Sequence, residues 1–253
     1  VYVLLTPVTI LATVTIFKHG YDPSSFVATI VTGIGDFATP AVLLLVAYLY
    51  EGFEYTLRCL IALALLVLAI VFAIYVSREK EGRNLLENLA SSLVASTGSS
   101  LGGFVLALST VFISNNPEIL GVLPAFNAVI GAAMGHLGNE LNIDFHIGAE
   151  SPGKSYYEES ISGFIATYVS IVLVLLVSSI TLGSGYIRVM KIIGAVTLAC
   201  ITVYALSALV TYWMTVLTFR HGWDPDNVIF PIMTTFVDLT GPTVVSILGS
   251  IVI

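Results

Sequence analysis

Eight apolar stretches, each long enough for about twenty helical residues, constrain this chain more than any other feature. They run over roughly 1–18, 25–50, 55–77, 87–113, 117–137, 157–181, 187–217 and 227–253, with short polar breaks between them. Lipid offers no hydrogen-bond partners, so a spanning backbone must satisfy its N–H and C=O groups internally, as a helix does. Only 10% of residues are charged and 57% are hydrophobic, whereas soluble chains carry about a quarter charged. The expected fold class is therefore all-α: a polytopic membrane helix bundle of about eight transmembrane helices. The net charge of −7 and the lack of any basic run exclude nucleic acid as a partner. The lipid bilayer is the partner implied, with a multi-pass location in the plasma membrane expected.

The breaks carry their own signals. Asp22-Pro23 and Asp224-Pro225 mark helix starts, where Asp can cap and Pro fits the first turn; Asn115-Asn116-Pro117 reads the same way. The segment 138–156, rich in Gly, Asn and acids, reads as the longest loop, with room for a short re-entrant piece. Cys59 and Cys200 lie in apolar runs and read as buried free thiols. The first residues, VYVLLTPVTI, are apolar and lack Met, so the chain is expected to begin inside a longer membrane protein. Alternate threading puts Lys18, Arg78, Lys80, Arg83, Lys154 and Arg220 on one side and Arg58, Arg188 and Lys191 on the other. The excess predicts that the first side, which holds both DP loops, is cytoplasmic.

Two of the apolar stretches copy each other. FKHGYDPSSFVATIVTGIGDFATPAV and FRHGWDPDNVIFPIMTTFVDLTGPTV align without a gap at a spacing of 202 positions. They share Phe17/Phe219, His19/His221, Gly20/Gly222, Asp22/Asp224, Pro23/Pro225, Thr32/Thr234, Asp36/Asp238 and Pro40/Pro242. Both copies run outward, so the repeat is parallel, about an axis along the membrane normal. Spans four to eight make a complete five-helix unit. Spans one and two match its last two helices, leaving the first unit incomplete, and 55–77 reads as the linking span.

Asp36 and Asp238 each lie 14 residues beyond the DP aspartate, roughly 20 Å along a helix and deep in a core about 30 Å thick. A charge there costs a few kcal/mol even on lenient scales. Two at equivalent places predict a shared ion site on the pseudo-symmetry axis. Thr32 and Thr234 add hydroxyls one turn earlier, Gly35 and Gly241 thin the helices, and Pro40 and Pro242 free carbonyls one turn later. Such hard oxygens suit Mg²⁺ as a transported ion, largely hydrated, with no permanently bound cofactor. The competing reading is a protonated Asp that merely bonds between helices. His19 and His221 read as structural or headgroup contacts. Gly98-x-x-x-Gly102 and Gly131-x-x-x-Gly135 read as close-packing motifs, and Asn127, after Pro124, as a candidate pathway-lining residue.

In these residues the chain resembles the MgtE magnesium channels and their eukaryotic solute-carrier relatives, which fuse two membrane units. The DP turn followed by Asp, in DPDNVIFPIMTTFVDLTG and DPSSFVATIVTGIGD, resembles that family's final helix. SSLGGFVLALS and PEILGVLPAFNAVIGAAMGHLGNEL resemble its first two. The resemblance implies three parts: 1–54, the last two helices of a first unit; 55–83, a linking helix and charged hinge; and 84–253, a complete second unit. It implies a divalent-cation pathway between the units, with Asp36 and Asp238 as its carboxylates, in a pseudo-dimer that itself allows a homo-oligomer. One departure stands out. The family's second helix usually carries Gly-Asn near the ion path, whereas this chain has Gly131-Ala132 there and Gly138-Asn139 seven residues later. The Asn is lost, or Asn127 replaces it, or a shift brings in Asn139.

Two other functions compete. Gly33-Ile34-Gly35-Asp36 resembles the GxGD signature of intramembrane aspartyl proteases, whose paired carboxylates activate water. Against it, the second copy reads Thr-Phe-Val-Asp and no Pro-Ala-Leu element follows. A proton- or sodium-coupled carrier of another substrate would use the same aspartates as a relay.

Overall fold

The computed structural model describes residues 2–21, 23–77, 82–149 and 152–252, apart from some side chains within helices, those of Thr32, Asp36, Pro40 and Arg83 among them. The positions Asp22, Arg78 and Lys80, which the sequence reading used, lie outside the described residues. Among the described residues the fold is all-helical, with no strand. Two compact units divide the chain, residues 1–87 and 88–253.

In the first unit, α1 (Tyr2–Lys18) turns through Gly20 into α2 (Pro23–Glu51), against which it packs, and α3 (Tyr55–Ser77) follows. Side chains all around α3 are exposed, among them Leu60, Leu63, Leu65, Leu66 and Leu68. A helix apolar on every face and exposed on most of them is suited to lipid. Cys59 stands on this exposed surface, which corrects its reading as buried. Cys200 is buried as expected.

The second unit contains α4 (Gly82–Leu108) from Asn88 onward, α5 (Thr110–Asn115), α6 (Pro117–Ile147), α7 (Pro152–Thr181), α8 (Tyr186–Arg220) and α9 (Pro225–Val252). Five helices here are long and apolar enough to cross a membrane: Leu89–Leu108, Pro117–Ile147, Gly153–Thr181, Tyr186–Arg220 and Pro225–Val252. The expected span 87–113 is divided at Ser109 into α4 and α5. Ser109 and Thr110 both bond back to carbonyls of the preceding turn, at 3.0 and 2.5 Å, an alternative to the regular ladder that bends helices.

A larger correction concerns the supposed loop 138–156. α6 continues without a break to Ile147 and ends at Gly148, whose φ of 67° is left-handed. Leu137 and Leu141, one turn apart, are both buried and carry the apolar stripe through the polar letters. The stripe outweighs one glycine and two asparagines.

α6 is the hub. Its Ile119, Phe126, Ile130, Met134 and Leu137 are buried against Ile171 and Leu175 of α7, Val196 and Val203 of α8, and Met233 and Val237 of α9. Glycines set how closely α9 approaches. A Cβ on Gly98 or Gly102 of α4 would strike α9 at Thr235 and at the Asp238 backbone; one on Gly131 or Gly135 of α6 would press on Thr234 or strike Phe230. Both small-residue motifs therefore serve one helix, the one that bears Asp238.

Candidate cation site

α9 starts where the DP signal places it. Asp224 Oδ1 accepts from the N–H of Asp226 at 3.1 Å, and Pro225 opens the helix. Three prolines-related gaps in the helical hydrogen-bond ladder follow from the sequence. Pro231 has no N–H for the carbonyl of Asn227, and Ser91 Oγ of α4 donates to that carbonyl instead, at 3.0 Å. Pro242 removes the N–H that would otherwise reach the carbonyl of Asp238, and Gly102 lies 2.8 Å from that oxygen by its absent Cβ. In α6, Pro124 likewise withholds an N–H from Leu120, one turn before Asn127.

Asp238 lies 13 residues into α9, about 20 Å along its axis, and is half-buried. Asn127 of α6 donates through Nδ2 to Asp238 Oδ1 at 3.2 Å. Its own Oδ1 is buried and makes no hydrogen bond within the protein. A Cβ on Gly241 would strike that amide oxygen, so Gly241 is what lets Asn127 stand so close. Thr234 donates back to the carbonyls of Phe230 and Pro231 at 3.0 and 3.1 Å, and so keeps only lone pairs for anything else.

Of the three possibilities for the asparagine, the geometry selects Asn127 as the one that meets Asp238. Asn139 is 12 residues further along α6, about 18 Å away. The backbone around Gly35 is helical, with Leu5 as the neighbour a Cβ would touch at 3.6 Å. The side chains of Thr32 and Asp36 lie outside the described residues. His19 and His221 donate through Nδ1 to the carbonyls of Thr15 and Leu217, each at 2.8 Å, and so close the last turns of α1 and α8. Among the described residues no group of three or more His, Cys, Asp and Glu is placed to hold a metal. An ion at Asp238 would keep most of its own water.

Two polar contacts escaped the sequence reading. Glu118, buried at the start of α6, accepts from Arg188 Nε at 2.8 Å and from Ser184 Oγ at 2.5 Å, and ties α6 to α8. The signal was present, an acid and an arginine each at a helix start on the same predicted side. Asn142 donates to Asp226 at 3.0 Å; the loop-like composition of 138–156 hides it from the sequence.

The family model MgtE, described as a divalent cation transporter, matches residues 123–248. The chain belongs to the MgtE family. The match begins beside Pro124 and ends in α9, so it holds Asn127, Asn139, Thr234, Asp238 and Gly241, while Thr32, Gly35 and Asp36 precede it. No curated protein and no solved structure matches the chain. As an MgtE-family chain with five long apolar helices, it is an integral membrane protein of a transporter family, for divalent cations in general. The protease reading of Gly33-Ile34-Gly35-Asp36 is not favoured by that membership.

Proposed function

We propose that the chain moves Mg²⁺ across a membrane along a pathway lined by the carboxylates of Asp36 and Asp238. The observation that carries this reading is the Asn127–Asp238 pair, half-buried about 20 Å into α9 and inside the family match. A carboxylate at that depth is costly, and a divalent cation arriving with part of its water relieves the cost. Asn127 holds one carboxylate oxygen in place. The Thr234 hydroxyl, donating backward along its helix, accepts from the ion's water. Few direct ligands suit Mg²⁺, which gives up water reluctantly. Easy exit also requires that the ion not be caged.

Flux into proteoliposomes tests this, with Mg²⁺, Mn²⁺, Ca²⁺ and Co²⁺ offered separately. Mg²⁺ is expected to pass best, and Asp238→Asn to stop it while the protein still elutes as a folded species. Acceleration by an opposing sodium gradient would identify exchange; indifference to it would identify a passive path. Undiminished Mg²⁺ flux in the variant would sink the site.

A further inference from the structure

α6 and α9 run antiparallel and touch through a regular series: Asn127 with Asp238, Gly131 with Thr234, Gly135 with Phe230, Gly138 with Ile229, and Asn142 with Asp226. The series begins and ends on an amide–carboxylate pair. We propose that the second pair, Asn142 and Asp226, is a cation-loading station at the DP end of this seam, taking a partly hydrated divalent ion before it reaches Asp238. This rests on the reading of Asp238 as an ion site.

Asn142 is 5% exposed, and its Oδ1 is buried with no hydrogen bond within the protein. That oxygen has no bond to lose, so turning the amide gives up only the bond from Nδ2 to Asp226, a net loss of about 1 kcal/mol that an ion held at the pair outweighs. A half-turn of the amide exchanges nitrogen and oxygen with no change of shape. The carbonyl oxygen then stands where Nδ2 does, 3.0 Å from Asp226 Oδ1. Neighbouring ligands of an octahedral ion with bonds of 2.0–2.1 Å are separated by about 2.9 Å. The two oxygens therefore span one edge of a Mg²⁺ or Mn²⁺ octahedron, and water completes it. Asp224, bonded to the Asp226 N–H, places a second negative charge on the same turn. Asp226 is exposed, so an ion from solution reaches it first. Asp238 follows 12 residues later, about 18 Å along α9.

Mn²⁺ titration of the detergent-solubilised full chain, read by electron paramagnetic resonance, tests the station. Wild type is expected to hold two Mn²⁺, Asp226→Asn one, Asp238→Asn one, and the double variant none. In proteoliposomes Asp226→Asn is expected to raise the half-saturating Mg²⁺ concentration several-fold when the ion is presented at the DP side, and less from the other side. Two Mn²⁺ retained by Asp226→Asn, with half-saturation unchanged, would overturn the station and leave Asp238 standing. Two Mn²⁺ retained by Asp238→Asn, with flux intact, would instead overturn the site on which it rests. Should Asp226→Asn not fold, Asn142→Asp decides: an added carboxylate oxygen at the station tightens Mn²⁺ and enlarges the rise in Tm that Mn²⁺ produces. Weaker Mn²⁺ binding by Asn142→Asp overturns the proposal.

Discussion

The turn after α1 and the turn after α8 close alike. Gly20 takes φ 80° and Gly222 φ 70°; the Tyr21 N–H reaches the Ile16 carbonyl at 3.3 Å and the Trp223 N–H the Thr218 carbonyl at 3.0 Å. Both histidines close the preceding turn through Nδ1 at 2.8 Å. Beyond the turns the copies part. Gly241, pressed on Asn127, stands opposite Thr39 in the alignment; Thr235, against Gly98, opposite Gly33; and Val237, fully buried, opposite Gly35. Turn positions are answered by their own backbone, so the same residues recur. Helix positions are answered by whatever packs beside them, and there the two copies need different side chains. Thr32/Thr234, Asp36/Asp238 and Pro40/Pro242 recur among the helix positions all the same, and the aspartates are the pair on which the proposed pathway depends.

The strongest break in the comparison would come from the aspartates themselves. Asp36→Asn and Asp238→Asn are each expected to abolish Mg²⁺ flux without loss of folding. An effect confined to Asp238→Asn would make the copies unequal partners and remove Asp36 from the pathway. Next in size is Gly241→Ala. The added methyl displaces the Asn127 amide, so flux falls sharply and stability drops by about 1–3 kcal/mol, the usual cost of overpacking. Thr39→Ala, at the aligned position, adds no atom and is expected to change flux far less. Equal losses in the two variants would mean that Asn127 contributes nothing particular at Asp238.

Smaller still is the turn itself. Gly20→Ala and Gly222→Ala each force a side chain into the left-handed region, at roughly 1–2 kcal/mol. Thermal unfolding in detergent should show the same fall for both, since the two turns share a left-handed glycine and the same closing hydrogen bond, and an added Cβ at Gly20 meets nothing within 4 Å. A marked difference would show that one turn is held by contacts from outside it.

Helix starts, the position of Asp238 along its helix and the close-packing character of the two glycine motifs were legible because each depends on spacing along a single element; that both motifs serve α9 was not. Nor was the reach of α6 to Ile147. Gly138, Asn139 and Asn142 are breakers by local preference, and only the burial of Leu137 and Leu141 against other helices overrides them. That misreading also concealed Asn142. Which asparagine meets Asp238 was equally closed to the sequence, because the choice depends on the stagger of α6 against α9. Gly241 shows the same limit: its glycine reads as thinning a pathway helix, and in the fold it makes room for the Asn127 amide.

The smallest expected effect isolates how the second copy compensates for its own proline. Thr29 stands opposite Pro231 in the alignment, so only the second copy loses a ladder bond there. Ser91 supplies the missing donor to Asn227 from α4. Ser91→Ala is expected to cost about 1 kcal/mol, the net worth of one such bond. Pro231→Ala restores the N–H one turn on, and with it the carbonyl has two donors competing for it. In that background Ser91→Ala should cost measurably less, so the double-variant cycle gives a coupling well away from zero. Additive effects would mean that the hydroxyl and the proline act independently, and that α4 is held against α9 by the glycine contacts at Gly98 and Gly102 alone.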